Sequence, residues 1–212
     1  MNILITAGPT REFIDPVRFI SNPATGRLGY LIARKAKKKG HNVFFVVGPC
    51  HLPPLKGVKT IEVVSAVEMK REVEKLFPSM DVLVMTAAVS DWRPAKKSSK
   101  KIKIKKRWTL KLVPNPDILK FVSGKKRKNQ LVIGFALEST SILKNAREKL
   151  RKKKLDIIIA NTVKNFGTSQ NTGKIFMLYS DGKMINLSGY SKEKISTLLI
   201  KEIEKWKEKV MC

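Results

Sequence analysis

Three groups of residues have types and spacings suited to holding a phosphorylated ligand. Gly26 and Gly29 stand at the start of a predicted helix, where backbone N–H groups can approach a phosphate at the positive helix end. Lys149 and Lys153 lie four residues apart and therefore share one helix face. Asp91 follows small residues, and its carboxylate could hold ribose hydroxyls or Mg²⁺. Each group also has a structural interpretation: tight turns, solvated lysines and a turn cap.

The link before that helix is long and polar. It carries five residues near the expected ligand crevice: Arg11, Glu12, Asp15, Arg18 and Asn22. The two arginines could bind a ligand, or they could pair with Glu12 and Asp15. The chain has no GxxxxGK[ST] P-loop and no full GxGxxG motif.

A second polar motif is Asn115-Pro116-Asp117-Ile118. It could be a helix start, with Asn115 as N-cap and Pro116 at the first helical position. It could also contribute to a ligand site, and the sequence pattern leaves both interpretations open.

Predicted strands and helices alternate along the chain. Continuous apolar or β-branched runs predict strands at residues 3–6, 42–47, 60–64, 81–85, 131–135 and 156–159. Apolar periodicity predicts helices at 28–38, 66–77 (Val67, Val73 and Leu76 inward), 141–153 and 191–210. Ser180-Asp181-Gly182 joins residues 174–179 to 184–187 as a hairpin.

This alternation predicts an α/β, Rossmann-like three-layer domain, with a mostly parallel sheet and an antiparallel edge hairpin. In such sheets ligands bind outside the carboxyl ends of the strands. The residues to examine are therefore 7–10, 86–93, 135–138 and 160–162. One domain over residues 1–212 is expected from the length.

The chain is strongly basic, with a formal charge of +27. Because most of this charge is lysine and is scattered in short clusters, we expect it mainly to coat solvated faces. The densest cluster, residues 96–107, lies in a segment (92–109) predicted to be a mobile basic loop. A nucleic-acid-binding protein is the alternative that the charge suggests, although only Trp92 and Trp108 flank this loop.

Other features restrict the class of protein. No run of about 18 apolar residues predicts a membrane span. Residues 1–6 resemble a first strand rather than a signal peptide. Cys50 and Cys212 are far apart, which favours a reducing, cytoplasmic location. With two His and two Cys, a thiolate or imidazole metal site is not expected.

The ordered motifs resemble one family, the phosphopantothenate–cysteine ligases, specifically the synthetase half of the bacterial bifunctional coenzyme A biosynthesis protein. The resemblance runs from about residue 1 to 205, in the order and spacing of the family. It rests on these motifs: residues 8–12 (GPTRE), 15–22 (DPVRFISN), Gly26-x-x-Gly29, 87–94 (AAVSDxRP), 110–118 (LxLVxNPDI), 134–138 (GFAxE) and Lys149-x-x-x-Lys153-x-x-Asp156.

The resemblance implies that CTP activates 4′-phosphopantothenate as an acyl-cytidylate and that L-cysteine then displaces CMP. Asn22 matches an asparagine that contacts the intermediate, and Arg18 matches a residue that helps to bind it. The implied nucleotide-binding positions are Gly8, Gly26, Ala87, Asp91, Lys101, Asn115, Pro116, Asp117, Ile118, Phe135, Lys149 and Lys153. Mg²⁺ is the expected metal, with Asp91 as the candidate protein contact. Phe135, placed at a strand end, is expected to pack against the base or ribose.

The catalytic clamp lysine has two alignments. Counting without gaps gives Lys101, and sliding by two residues gives the complete motif 103–106 (KIKK) that begins at Lys103. We favour Lys101. Two departures from the family pattern are Pro23-Ala24, which removes a side-chain phosphate contact at position 24, and Leu137, which replaces a small residue.

The resemblance also implies a homodimer and no flavin in this chain, with the decarboxylase supplied separately or lost by trimming. The main alternative is an NAD(P)-binding reductase or epimerase. It would need a Tyr-x-x-x-Lys dyad on a helix. The sequence offers only Tyr30 with Arg34, and Tyr179 with Lys183 across the predicted hairpin turn. No membrane and no specific nucleic-acid partner are expected.

Overall fold

The computed structural model describes residues 1–103, 107–165 and 173–211, and within these it has twelve strands and five α-helices. The strands are β1 (Asn2–Ala7), β2 (Arg11–Phe13), β3 (Phe19–Ser21), β4 (Asn42–Val47), β5 (Lys59–Glu62), β6 (Val82–Met85), β7 (Trp92–Pro94), β8 (Leu112–Pro114), β9 (Leu131–Glu138), β10 (Ile157–Thr162), β11 (Ile175–Tyr179) and β12 (Met184–Asn186). The helices are α1 (Arg27–Lys38), α2 (Ala66–Leu76), α3 (Ile118–Lys125), α4 (Ile142–Lys152) and α5 (Lys192–Met211).

The central sheet has the order β12-β11-β10-β9-β6-β1-β4-β5. The six strands from β10 to β5 are parallel, and β11 and β12 continue the sheet in antiparallel pairing. This arrangement confirms the α/β fold and the antiparallel edge hairpin. Because the parallel strands all end at one edge, the residues that follow them are brought together there.

Helices cover both faces of the sheet, so alternate residues of each central strand enter different cores. In β1, Ile5 packs into the core under α1 and α5, whereas Leu4 packs into the core under α2, α3 and α4. Both side chains are fully buried. Burial on both faces explains why residues 3–5 of the strand are continuously apolar rather than alternating.

Three local expectations were wrong. Val67 is 49% exposed, because Met69 and Val73 set the buried stripe of α2 and Val67 falls on the opposite side. Strand β9 continues to Glu138, so Phe135 lies inside a strand rather than at its end. The N-cap of α3 is Asp117, not Asn115.

The long link after β1 is folded into a small hairpin, β2 with β3, that the sequence did not predict. Asp15, fully buried, holds its turn by accepting hydrogen bonds from the backbone N–H groups of Val17 and Arg18 at 2.8 Å. Its second oxygen accepts from the N–H of Ile102 at 3.1 Å. The hairpin and the basic segment are therefore held by one carboxylate.

The basic segment is also organised at its two ends. Trp92–Pro94 pairs with Leu112–Pro114 as an antiparallel ribbon, β7 with β8. Residues 104–106, which include most of the alternative clamp motif, lie outside the described residues.

Helix α1 approaches the sheet closely at Gly29. A Cβ atom added there would lie 2.4 Å from Thr86 Oγ1 and 2.6 Å from the Cβ of Ala7, so no larger residue fits without movement. This contact fixes the start of α1 beside the ends of β1 and β6.

We predict that Gly29→Ala lowers the free energy of unfolding by about 1–3 kcal/mol, the usual cost of overpacking. Urea unfolding measures it. The matched control is Gly124→Ala in α3, where an added Cβ meets nothing within 4 Å. This control should be neutral or stabilise by up to about 1 kcal/mol through helix propensity. Equal unfolding free energies for the two variants would show that α1 is not tightly fitted at Gly29.

Candidate functional site

A cavity of about 890 Å³ opens at the carboxyl edge of the parallel sheet. Its wall is formed by residues that follow β1 and β6, by the ends of β9 and β10, and by residues of α1, α3, α4 and α5. This is the edge at which the alternating strand–helix pattern predicts a ligand site.

Most of the predicted site residues gather in this cavity. Those that line it are Gly8, Asn22, Gly26, Ala87, Asp91, Asn115, Pro116, Asp117, Ile118, Phe135, Lys149 and Lys153. Arg18 and Lys101 are not among the lining residues. Residues more than a hundred positions apart in the chain are thus brought to one wall by the parallel topology.

Asn22 is fixed by its amide nitrogen, which donates to the carbonyl oxygens of Ala88 at 3.1 Å and Val89 at 3.4 Å. The amide oxygen accepts no hydrogen bond from the described part of the chain. The bonds to the backbone after β6 fix the orientation of the Asn22 side chain, and its amide oxygen is left as an acceptor at the cavity wall.

Asn115 has a different task from helix capping. Its Nδ2 donates to the carbonyl of Ser90 at 2.8 Å, and its Oδ1 accepts from Arg93 at 3.1 Å. Its backbone N–H donates to the carbonyl of Asp91 at 2.8 Å. Asn115 thus ties the segment before α3 to the loop after β6, which places two walls of the cavity relative to each other.

Asp117 caps α3 and also binds Lys153, the residue directly after α4. Its Oδ1 accepts from the N–H of Lys120 at 2.9 Å, and its Oδ2 forms an ion pair with Lys153. Burial opposes ionisation of Asp117, but these hydrogen bonds and the lysine charges outweigh it, and the pKa lies below its usual value.

Lys149 is the cation of the cavity most affected by desolvation. Its ammonium donates to the carbonyl of Phe135 at 2.9 Å. Burial disfavours the charged form and lowers the pKa of Lys149 below that of an ordinary lysine, although Glu138 and Asp91 attract the charge. A desolvated ammonium gains more from an anionic ligand than a solvated one does.

Arg18 and Lys101 belong to the neighbouring hairpin and basic segment. The Arg18 guanidinium donates to the carbonyl of Ile102 at 2.7 Å and lies 3.7 Å from the Asp15 carboxylate. Lys101 and Lys103 are exposed. Arg18 pairs with Asp15, whereas Arg11 lies over the Phe19 ring.

Among the lining residues that the sequence motifs did not single out are Arg27, Asn161, Asn165 and Lys192. Asn161 falls within residues 160–162, which the strand-end rule marked for inspection. Lys192 begins α5, and burial lowers its pKa together with the nearby charge of Arg27. The signal for these residues was their position after strands or at helix starts, not a motif.

The described residues contain neither a three-residue cluster of metal-ligating types nor a Tyr-x-x-x-Lys dyad on a helix. Over residues 1–103, 107–165 and 173–211, no three His, Cys, Asp or Glu side chains cluster as metal ligands. Tyr179 and Lys183 close the β11–β12 turn, and the Tyr179 hydroxyl donates to Glu202 at 2.7 Å.

In the same described ranges no helix is both long and apolar enough to cross a membrane.

Comparison with known proteins gives consistent matches. Residues 1–206 match the family described as the DNA/pantothenate metabolism flavoprotein C-terminal domain. The chain is 42% identical over 179 residues to the coenzyme A biosynthesis bifunctional protein CoaBC of Borreliella burgdorferi, covering 83% of this chain and 45% of that protein. It is 38% identical over 209 residues to CoaBC of Escherichia coli K12, covering 96% and 51%. The chain therefore spans about half the length of these relatives.

The fold has close counterparts among solved structures. The crystal structure of the C-terminal domain of CoaBC superposes with a TM-score of 0.84 at 38% identity, over 98% of this chain and 96% of that one. The DNA/pantothenate metabolism flavoprotein from Streptococcus pneumoniae gives a TM-score of 0.83 at 25% identity, over 97% and 99%.

The two contacts of Asp117 can be separated by substitution. Asp117→Asn keeps a capping oxygen and removes the ion pair with Lys153, so it should lose only about 0–1 kcal/mol of unfolding free energy. Asp117→Ala also removes the cap and should lose about 1 kcal/mol more. Urea unfolding distinguishes them, and equal losses would show that the cap contributes nothing.

The free energy of unfolding should depend on pH through the ion pair between Asp117 and Lys153. Because the pKa of Asp117 is lowered in the folded protein, its contribution is present above about pH 4 and is lost as pH falls through the folded pKa. Asp117→Asn should lack this part of the acid sensitivity.

Proposed function

The chain belongs to the DNA/pantothenate metabolism flavoprotein C-terminal domain family, and we propose that it joins 4′-phosphopantothenate to L-cysteine at the expense of CTP. The observation that carries the proposal is the gathering of the family-matching residues in one cavity at the carboxyl edge of the sheet. Its volume of about 890 Å³ lies in the range of small-molecule sites, which is roughly 300–1,000 Å³.

The reaction has two substitutions. First, a carboxylate oxygen of phosphopantothenate attacks the α-phosphorus of CTP. The bond from that phosphorus to the bridging oxygen breaks, and pyrophosphate leaves. Second, the cysteine amine attacks the acyl carbon, CMP leaves, and the nitrogen loses a proton to give the amide. The protein must neutralise phosphate charge and hold the reacting atoms in place.

The residues of the cavity suit these tasks. Lys149 of α4 and Lys153, the residue directly after α4, supply positive charge, and Lys149 does so from a desolvated position. Asn22 presents an acceptor held by its bonds to the 88–89 backbone, which suits alignment of the acyl intermediate for attack by the amine. Phe135 offers an aromatic wall to the base or ribose.

Arg18 and Lys101 complete the proposed machinery from outside the cavity wall. Their segment is joined to the β2–β3 hairpin through Asp15 and Ile102. We assign Lys101 to the phosphates in the first substitution and Arg18 to the acyl intermediate. Both assignments follow the family pattern.

Mg²⁺ fits this donor set as an ion carried by the nucleotide. Mg²⁺ commonly binds one or two carboxylates together with substrate phosphates and water. Asp91, an exposed carboxylate on the cavity wall, would hold it, and the ion would neutralise charge on the triphosphate.

The wider assignments are part of the same proposal. We assign residues 1–212 to a single ligase domain that acts as a homodimer in the cytoplasm. The decarboxylase chemistry, with its flavin, is assigned to another polypeptide or region, since the matched family is a C-terminal domain and the relatives are about twice as long.

The direct test is pyrophosphate release from CTP with 4′-phosphopantothenate, with and without cysteine, and with ATP in place of CTP. Release should require phosphopantothenate, and the amide should form only when cysteine is added. The Asn22→Asp variant should accumulate the cytidylate and form less product, because we assign Asn22 to the second reaction step. Lys101→Gln should slow pyrophosphate release.

Two results would contradict the proposal. Absence of nucleotide turnover with every substrate pair would exclude the ligase assignment. Faster turnover with ATP than with CTP would overturn the choice of nucleotide while retaining the reaction. Lys128→Gln, an exposed lysine outside the cavity, is the charge-matched control for Lys101→Gln and should retain wild-type rates.

Lys149 predicts a pH dependence of nucleotide binding. Because the pKa of Lys149 is lowered by burial, its charge is lost as pH rises through a value below that of an ordinary lysine. CTP affinity should therefore fall in the alkaline range, measured calorimetrically above about pH 8, where phosphate ionisation is complete.

Substitution identifies the titrating group. Lys149→Met should bind CTP more weakly at neutral pH and lose this alkaline decline. Lys144→Met, an exposed lysine of the same helix outside the cavity wall, should keep both the affinity and the pH profile of the wild type. An unchanged decline in Lys149→Met would assign the titration elsewhere.

A further inference from the structure

Asn161, near the end of β10, and Asn165, three residues after that strand, form a hydrogen-bonded pair that the ligase mechanism above does not use. Both Asn161 and Asn165 line the cavity. Asn165 is only 2% exposed, whereas Asn161 is partly exposed. A buried polar side chain at a cavity wall is costly unless its bonding is satisfied, so the partners of this pair show what it is built to do.

The direction of hydrogen bonding through the pair is fixed by a backbone donor. The N–H of Gly173 donates to Oδ1 of Asn165 at 2.7 Å. Asn165 must then turn its NH₂ group away, and Nδ2 donates to Oδ1 of Asn161 at 2.7 Å. Because a backbone N–H can only donate, the assignment of oxygen and nitrogen in both amides follows from the network.

Close packing fixes Gly173, whose N–H group begins the series of hydrogen bonds from Gly173 through Asn165 to Asn161. A Cβ atom added to Gly173 would lie 2.1 Å from Thr162 Oγ1 and 3.1 Å from Nδ2 of Asn165. Only glycine brings its N–H to Asn165 at this distance without displacing β10. The polarity of the pair is therefore set by the backbone.

Because Asn161 lines the cavity, the fixed direction of these hydrogen bonds determines which of its amide atoms is available to a ligand. Its oxygen is occupied by Asn165, and its Nδ2 has no acceptor within the described part of the chain. In the parallel pairing of β10 with β9, Asn161 is level with Leu137 and Ile159 is level with Phe135. Asn161 thus lies on the same sheet face as Phe135, two positions along.

We propose that Asn161 donates a hydrogen bond from Nδ2 to an acceptor oxygen of the bound nucleotide, and that Asn165 is a positioning residue that keeps this donor facing the ligand. The inference rests on the proposed function for the identity of the nucleotide. The acceptor chemistry is shared by a pyrimidine carbonyl and by phosphate oxygens.

The test is a double-substitution cycle of CTP affinity by calorimetry. Asn161→Ala should weaken CTP binding roughly tenfold, the effect of one hydrogen bond lost in a desolvated site. Asn165→Ala should also weaken binding, because Asn161 is no longer oriented. The double variant should be no weaker than Asn161→Ala, since Asn165 acts only through Asn161. Asn186→Ala, an exposed asparagine on β12 outside the cavity, should leave affinity unchanged.

Two further ligands locate the acceptor. A loss in Asn161→Ala that appears with both CTP and CMP places the acceptor on the nucleoside monophosphate part. A loss that appears with CTP and pyrophosphate but not with CMP places it on the outer phosphates. Either outcome supports a donor at Asn161.

The outcomes that overturn the inference are distinct from failure of the proposed function. Wild-type protein that does not bind CTP contradicts the ligase proposal. Wild-type protein that binds CTP, with unchanged affinity in Asn161→Ala, overturns the role of Asn161. Losses that multiply in the double variant, to roughly a hundredfold, overturn the positioning role of Asn165. Urea unfolding of each variant separates a change in stability from a change in affinity.

Discussion

The close contact of α1 with the sheet at Gly29 is the constraint on which the site depends. A helix can start beside the ends of β1 and β6 only if its backbone comes within side-chain distance of Ala7 and Thr86. Once it does, the start of α1 and the residues after β6 face each other across the carboxyl edge. The parallel pairing of β10, β9, β6 and β1 then delivers the remaining wall residues to that edge, whatever their separation in the chain.

Charge in the cavity is arranged differently from charge on the rest of this basic chain. Lys153 is paired with the carboxylate that caps α3, and Lys149 is desolvated and held by a backbone carbonyl. The formal charge of +27 therefore says little about the site, because most of it is carried by scattered surface lysines. An anionic substrate interacts most strongly with ammonium groups that are fixed in place and partly desolvated, and Lys149 and Lys153 are held in this way at the end of α4.

Periodicity predicted the strands of the central sheet and the helices α1, α2, α4 and α5, but not the extent of α3, since burial on one or both faces leaves a direct trace in the sequence. It failed where side chains make contacts across the chain. Asn115 has the form of an N-cap, yet its amide bonds to Ser90 and Arg93, and Asp117 takes the capping position. The hairpin after β1 depends on the buried Asp15, and the pairing of Trp92–Pro94 spans about twenty residues of basic sequence. The cavity residues were predictable where a strand end or a family motif marked them. The polarity of the Asn161–Asn165 pair was not, because it depends on a glycine N–H from a later segment.

The two borders of the sheet bear on how the protein avoids self-association through its backbone. An unpaired strand edge is a template for pairing with another chain, and long flat edges promote aggregation. Here one border, β12, has only three residues and follows Lys183, and the other, β5, has four and begins with Lys59. Short borders with a cation at one end offer an incoming strand few hydrogen bonds and an electrostatic penalty. Lysines at short sheet borders are one of the ways in which proteins limit edge-to-edge pairing, so Lys59 and Lys183 give part of the basic surface a consequence that is independent of substrate binding.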